Sequence, residues 1–181
     1  MTEIELDSTT AVLLLAHGTP DVLGEMAEYL ARVTGGRALP MEVVEELQHR
    51  YALIGLGETP GEVAPPLTRW TFTQAHLLEQ TLDAMGRPMR VYAAMRNWHP
   101  LIADVVTQMR ADGVRRLIAV CLAPQNSRTS IGLYRRALME ALEADAGAGA
   151  AGIALTFVEE WAEQPALVEA FAEKLVEGYA G

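Results

Sequence analysis

Four short stretches of the chain are apolar at nearly every position: Ala11 to Ala16, Arg90 to Met95, Arg116 to Leu122, and Ile153 to Val158. Each is followed by polar loop residues. Runs of this length, apolar on both faces, predict parallel strands covered by helices on both sides. Between them the apolar positions recur at helical spacing. Val22, Leu23, Met26, Tyr29, Leu30 and Val33 mark a first helix, and Val43, Val44, Leu47 and Tyr51 a second. A third runs from Arg69 to Met85. Leu101, Ile102, Val105, Val106 and Met109 mark a fourth, and Leu133, Tyr134, Ala137, Leu138, Ala141 and Leu142 a fifth. Leu167, Val168, Phe171, Leu175 and Val176 mark the last.

Punctuation supports these edges. Asp112-Gly113 ends a helix just before a strand, and Ala146 to Gly152 reads as a small-residue linker. Gly55 to Pro66, GLGETPGEVAPP, is a long Gly/Pro-rich loop of the kind that carries function or moves. No repeat and no internal boundary is visible, so residues 1–181 read as one domain. The element order predicts an α/β fold, three layers deep, with a four-stranded parallel sheet.

Such sheets bind ligands beyond the carboxyl ends of their strands. Four loops should gather there. The first carries His17, Gly18, Thr19 and Pro20, and the second Arg96, Asn97, Trp98, His99 and Pro100. The third runs from Pro124 through Gln125 and Ser127 to Ser130, and the fourth carries Glu159, Glu160 and Trp161. His17 either caps its strand or serves as a metal ligand or proton acceptor, since imidazole titrates near neutral pH. His99 is a helix-start residue or a ligand contact, and Trp98 a core residue or a pocket wall. Ser127, Thr129 and Ser130 start a helix, so capping accounts for at least one of them. His49 and His76 fall inside helices and read as surface or packing residues.

Composition narrows the partners. The formal net charge of −10 argues against nucleic acid and anionic lipid. The one cysteine, Cys121, sits in an apolar run and reads as a small buried hydrophobe. The opening MTEIELDSTT is not a signal peptide, and the apolar stretches are too short to span a bilayer. A cytoplasmic protein without stable membrane insertion is the expectation. No GxGxxG, P-loop, CxxC, HExxH or GxSxG motif is present, which removes the commonest nucleotide, zinc and serine-hydrolase readings.

Four stretches taken together resemble the first half of ferrochelatases, which insert iron into a porphyrin. They are LLLAHGTPDVLGEMAEYLARVTGGR, ELQHRYALIG, VYAAMRNWHPLIADVVTQMRADGV and VCLAPQNSRTSIGLYRRA, in that order. The likeness runs from about Val12 to Tyr179 and implies the chelatase-like fold. It also implies a cleft for a flat, anionic macrocycle, with Tyr51, Arg96, Asn97, Trp98, His99, Gln125 and Ser127 as substrate contacts. His17 falls where relatives place a group that reaches the metal centre, so the resemblance makes it both catalytic residue and metal ligand. Ferrous iron enters as substrate metal, the porphyrin is the partner molecule, and no organic cofactor is needed.

The family's second half carries a Ser-Ala-His-type motif and a later glutamate, and neither occurs here. The GLGETPGEVAPP loop is also longer than the family's turn, leaving only Thr59 or Thr68 in place of an expected serine. Three expectations follow: a half that needs a separate carboxyl-terminal partner, a half-size chelatase that homodimerises, or a non-catalytic tetrapyrrole- or metal-binding module.

Overall fold

β1 (Thr10–Ala16) is buried along its whole length, because every residue of TAVLLLA is small or apolar enough to be packed from both sides. In the computed structural model, which describes residues 9–61, 64–127, 130–144 and 152–179, this strand lies at the centre of the protein. It is followed by a 3₁₀ turn (Leu23–Glu25), α1 (Met26–Val33), α2 (Met41–Leu53) and α3 (Pro66–Ala84). Then come β2 (Arg90–Met95), α4 (Ile102–Ala111), β3 (Arg116–Cys121), α5 (Ile131–Ala144), β4 (Ala154–Val158) and α6 (Pro165–Tyr179). The four strands form one parallel sheet in the order β2-β1-β3-β4.

The predicted strands match the observed ones to within a residue. The first helix differs: its opening turn is 3₁₀, with the Glu25 carboxylate reaching back to the backbone N–H groups of Asp21 and Val22. α3 starts earlier than its apolar spacing indicated because Pro66 occupies the first helical position, where its missing N–H costs nothing. The predicted linker Ala146 to Gly152 lies almost wholly outside the described residues, as do Arg128 and Thr129 at the start of the fifth helix.

Alternation along the strands divides the core. Leu13, Leu15, Ala94, Leu117, Ala119 and Cys121 face α4 and α5, packed with Val106, Met109 and Leu138. Val12, Leu14 and Ala93 face the other way, toward Ala75 and Leu78 of α3. A third cluster lies beyond the carboxyl end of β1, where α1, α2, Leu56 and Trp98 pack together around Tyr29. Each fully buried leucine contributes about 1.5–3 kcal/mol, so these clusters fix the strand ends firmly.

The chain between β1 and this third cluster is held by contacts with the loop after β2. The Arg96 N–H donates to the Ala16 carbonyl (3.0 Å) and the Asn97 N–H to the His17 carbonyl (3.0 Å), continuing the ladder past both strands. Gly18 follows at φ +90°, and a Cβ there would lie 2.9 Å from the Trp98 nitrogen and 3.1 Å from Met95 Cβ. Only glycine fits both the left-handed backbone and the close approach. Gly18→Ala is therefore expected to cost about 1–3 kcal/mol of stability in urea unfolding, whereas alanine at Gly24, which meets nothing within 4 Å, leaves stability almost unchanged.

Candidate functional site

His17 is the first residue beyond the buried part of β1, and it is only partly buried. Its ring meets the Tyr29 ring edge-on, centroids 6.1 Å apart and planes at 83°. Tyr29 in turn meets Tyr51 at 6.3 Å and Trp98 at 6.1 Å. Three elements thus converge on one aromatic group: the end of β1, the buried face of α1, and the last turn of α2. Tyr29 is 3 % exposed, and the Tyr51 ring lies against it. Burial first, then the neighbouring Tyr51, hold the Tyr29 phenol well above its usual range, so it stays neutral.

The imidazole faces a cavity of about 160 Å³. Tyr29 and Tyr51 supply its aromatic wall, Ile54 and Leu56 its floor, and Pro65, Pro66 and Leu67 the far side. Among the described residues no carboxylate lines this cavity. A second hollow of about 260 Å³ shares Ile54, Leu56, Pro65 and Pro66 with it and extends under Gly55, Gly57 and Thr59 to Arg69. The Gly/Pro-rich loop, flagged in the sequence by its length and composition, is what shapes both spaces. It is pinned by the Leu23 N–H donating to the Gly57 carbonyl (2.8 Å), while the Gln48 amide donates to Leu23 (2.9 Å).

The electrostatics favour a neutral His17. Burial disfavours its cation, and the Arg96 guanidinium adds like-charge repulsion, so its pKa is lowered. The Asn97 side chain contributes as well. Its Nδ2 donates to the His17 carbonyl (3.2 Å) and lies 3.2 Å from each ring nitrogen. The carbonyl bond fixes which end of the amide faces the ring, and an N–H donor pairs with a ring lone pair, never with a ring N–H. Asn97 is itself 2 % exposed, so this orientation is held by packing.

Arg96 stacks its guanidinium over the Tyr134 ring at 5.5 Å, and its Nε is buried without a hydrogen-bond partner among the described residues. A buried guanidinium N–H without an acceptor is costly, and a carboxylate brought close would relieve it.

Of the residues anticipated from sequence, His17 and Tyr51 line the cavity, while Asn97 and Arg96 act on His17 from behind it. Trp98 is 3 % exposed, its indole donating to Asp21 Oδ2 (3.2 Å), so it is core beneath Tyr29 and no wall of the cavity. His99 is exposed beside Asp104 at the start of α4, with Nδ1 3.9 Å from Oδ2. Gln125 is exposed away from the cavity, and Ser127 Oγ accepts from the Ser130 N–H (3.1 Å), which is helix capping. Thr68 is buried in the first turn of α3 and Thr59 lies in the adjoining hollow. Tyr29 and Ile54 were not singled out. Tyr29 reads as one more apolar position of an amphipathic helix, and only its hydroxyl hinted at more.

The sequence profile of the ferrochelatase family matches residues 9–181. The chain is 49 % identical to the ferrochelatase of Acidobacterium capsulatum over 94 % of its length and 46 % of the relative's. It is 39 % identical to the ferrochelatase of Herpetosiphon aurantiacus, covering 97 % of this chain and 54 % of that one. It is 29 % identical to the coproporphyrin III ferrochelatase of Bacillus subtilis, covering 93 % and 51 % respectively. The chain spans about half the length of the curated relatives it matches. Among the described residues no helix is long and apolar enough to cross a membrane, and no three metal-ligating side chains cluster.

Two outcomes follow from the electrostatics of His17. An NMR titration of the imidazole should give a midpoint below 6.5, and Arg96→Gln should move it part of the way back up, since burial remains. Because the unfolded chain then binds the proton more readily than the folded one, stability should fall as pH drops from about 6.5 toward the folded midpoint. His17→Gln should flatten that part of the urea-stability profile.

Proposed function

The chain belongs to the ferrochelatase family, and on that premise we propose that it supplies one wall and the metal-facing imidazole of a site that inserts ferrous iron into a porphyrin. The observation that carries this reading is the neutral His17 at the mouth of an aromatic and aliphatic cavity, held from behind by Asn97 and Arg96.

The chemistry asks for what this arrangement offers. Metallation removes two pyrrole protons while a hydrated divalent ion sheds its water. A neutral imidazole accepts a proton near neutral pH or holds a borderline metal through its lone pair, and a cationic one does neither. Lowering the pKa of His17 keeps it in the useful form. A flat macrocycle needs apolar faces, which Tyr29, Ile54, Leu56 and the Pro65-Pro66 pair present. Its carboxylates need donors, and the Tyr51 hydroxyl on the cavity wall is one. Ferrous iron is here the substrate metal.

Two protons leave, and among the described residues His17 is the one imidazole or carboxylate that lines the cavity. The cavity is also smaller than the roughly 300–1,000 Å³ usual for ligand sites, so one face of a macrocycle would stay open. The second acceptor and the second wall then come from another polypeptide segment or another copy. Tetrapyrrole binding without metallation is the alternative for the isolated chain, and the shortage of acceptors among the described residues favours it.

Titration with a carboxylate-bearing porphyrin should quench tryptophan fluorescence, and Tyr51→Phe should weaken binding about tenfold. Spectroscopic metallation with ferrous iron, wherever it is seen, should fall about 10²- to 10⁴-fold in His17→Ala while porphyrin binding stays close to wild type. A His17→Ala protein that metallates at the wild-type rate, or a chain that binds no porphyrin, would rule this function out.

A further inference from the structure

Among the described residues Arg69 is the one cation that lines either hollow beside His17. Its guanidinium lies over the Trp70 ring at 5.5 Å and forms no ion pair with a described residue. The other guanidiniums near the site are engaged. Arg32 pairs with Glu28 and Arg50 with Glu46, both at 2.8 Å, and Arg96 stacks on Tyr134. In a chain of net charge −10, where acids outnumber bases, a guanidinium without a carboxylate calls for an account. Asp21 borders the same hollow, but its Oδ2 accepts from the Trp98 indole (3.2 Å) and no ion pair joins it to Arg69. The groove between α3 and α6, of about 370 Å³, has Leu67, Trp70, Leu122, Trp161 and Phe171 on its walls and offers no cation.

The two hollows differ in character. The one beside His17 has aromatic and aliphatic walls. The second adds the Thr59 hydroxyl and the backbone of Gly55, Gly57 and Gly61, which place no side chains in the space that leads to Arg69. Pro66 is common to both, and Arg69 follows it one turn later on α3. Their Cβ atoms therefore lie about 5–6 Å apart on one face of the helix. Stacking on Trp70 engages the flat face of the guanidinium and leaves its in-plane N–H donors free, the fork that a carboxylate accepts through both oxygens.

We infer that the second hollow is a carboxylate subsite. A ligand whose flat apolar body rests beside His17 lays an anionic arm along Pro66 against Arg69, with the Thr59 hydroxyl as a further donor. This rests on the preceding reading of the His17 cavity as the seat of a flat macrocycle. It makes Arg69 a specificity residue, favouring macrocycles with a carboxylate on that edge over those with a neutral arm there. Arg69 is exposed, so the gain is modest, about fivefold in affinity.

Fluorescence titration of the full chain with pyrenebutyrate, a flat apolar body with one carboxylate arm, and with its neutral alcohol pyrenebutanol is the test. The acid should bind about fivefold tighter than the alcohol. Arg69→Gln should erase that preference and Arg69→Lys should keep part of it, with the alcohol's affinity and the urea-unfolding midpoint unchanged in both. A tetracarboxylate porphyrin should lose the same factor in Arg69→Gln, and its tetramethyl ester should lose nothing. Equal affinity for acid and alcohol, a preference that survives Arg69→Gln, or displacement of the probe by butyrate alone at equal concentration would each overturn the subsite. A chain that shows the Arg69-dependent preference for pyrenebutyrate but binds no porphyrin keeps the subsite and loses the porphyrin reading. A porphyrin bound without regard to Arg69 does the reverse.

Discussion

Everything at the candidate site rests on how closely the end of β1 approaches the loop after β2. The contact has no slack: the Gly18 backbone lies against the Trp98 nitrogen, and the two flanking carbonyls, of Ala16 and His17, accept from Arg96 and Asn97. Because these bonds involve the backbone, the imidazole inherits the rigidity of two buried strands. The same loop then presents Asn97 and Arg96 to that imidazole. One hinge-free junction positions the titrating group and both residues that set its charge.

The charge state of His17 is over-determined. Partial burial, the Arg96 cation and the Asn97 N–H donor each favour the neutral ring, the last two supplied by one loop. A histidine that merely capped a strand would gain from a carboxylate or a carbonyl accepting from its ring. This one has a donor and a cation instead, an arrangement that costs stability at low pH and keeps the ring neutral at neutral pH. The Tyr29 phenol, held neutral by burial and by Tyr51, adds no compensating anion. The aromatic group therefore orients the imidazole without changing its protonation.

The sequence made the layout of the sheet legible because buried parallel strands have no polar face to confuse the pattern; TAVLLLA admits little else. It also led to His17 and Tyr51, through their places at a strand end and a helix end. It was less able to say which members of a loop face the ligand. Asn97, Trp98 and His99 are consecutive, yet one supports His17, one is core and one is exposed, since a turn sends successive side chains in different directions. Gln125 and Ser127 were grouped with them by sheet logic, but the cavity opens toward α1, α2 and α3 and not toward β3. That choice is made by the third core cluster, whose long-range packing has no local periodicity to reveal it.

The cavity and the groove between α3 and α6 share a boundary. Leu67, in the first turn of α3, lines the His17 cavity on one side and the groove toward α6 on the other. Pro65 and Pro66 start that helix and also wall the cavity, so the first turn of α3 cannot move without reshaping it. Packed interiors transmit such displacement instead of absorbing it. The His17 cavity and the adjoining hollow are thus mechanically linked through one helical turn.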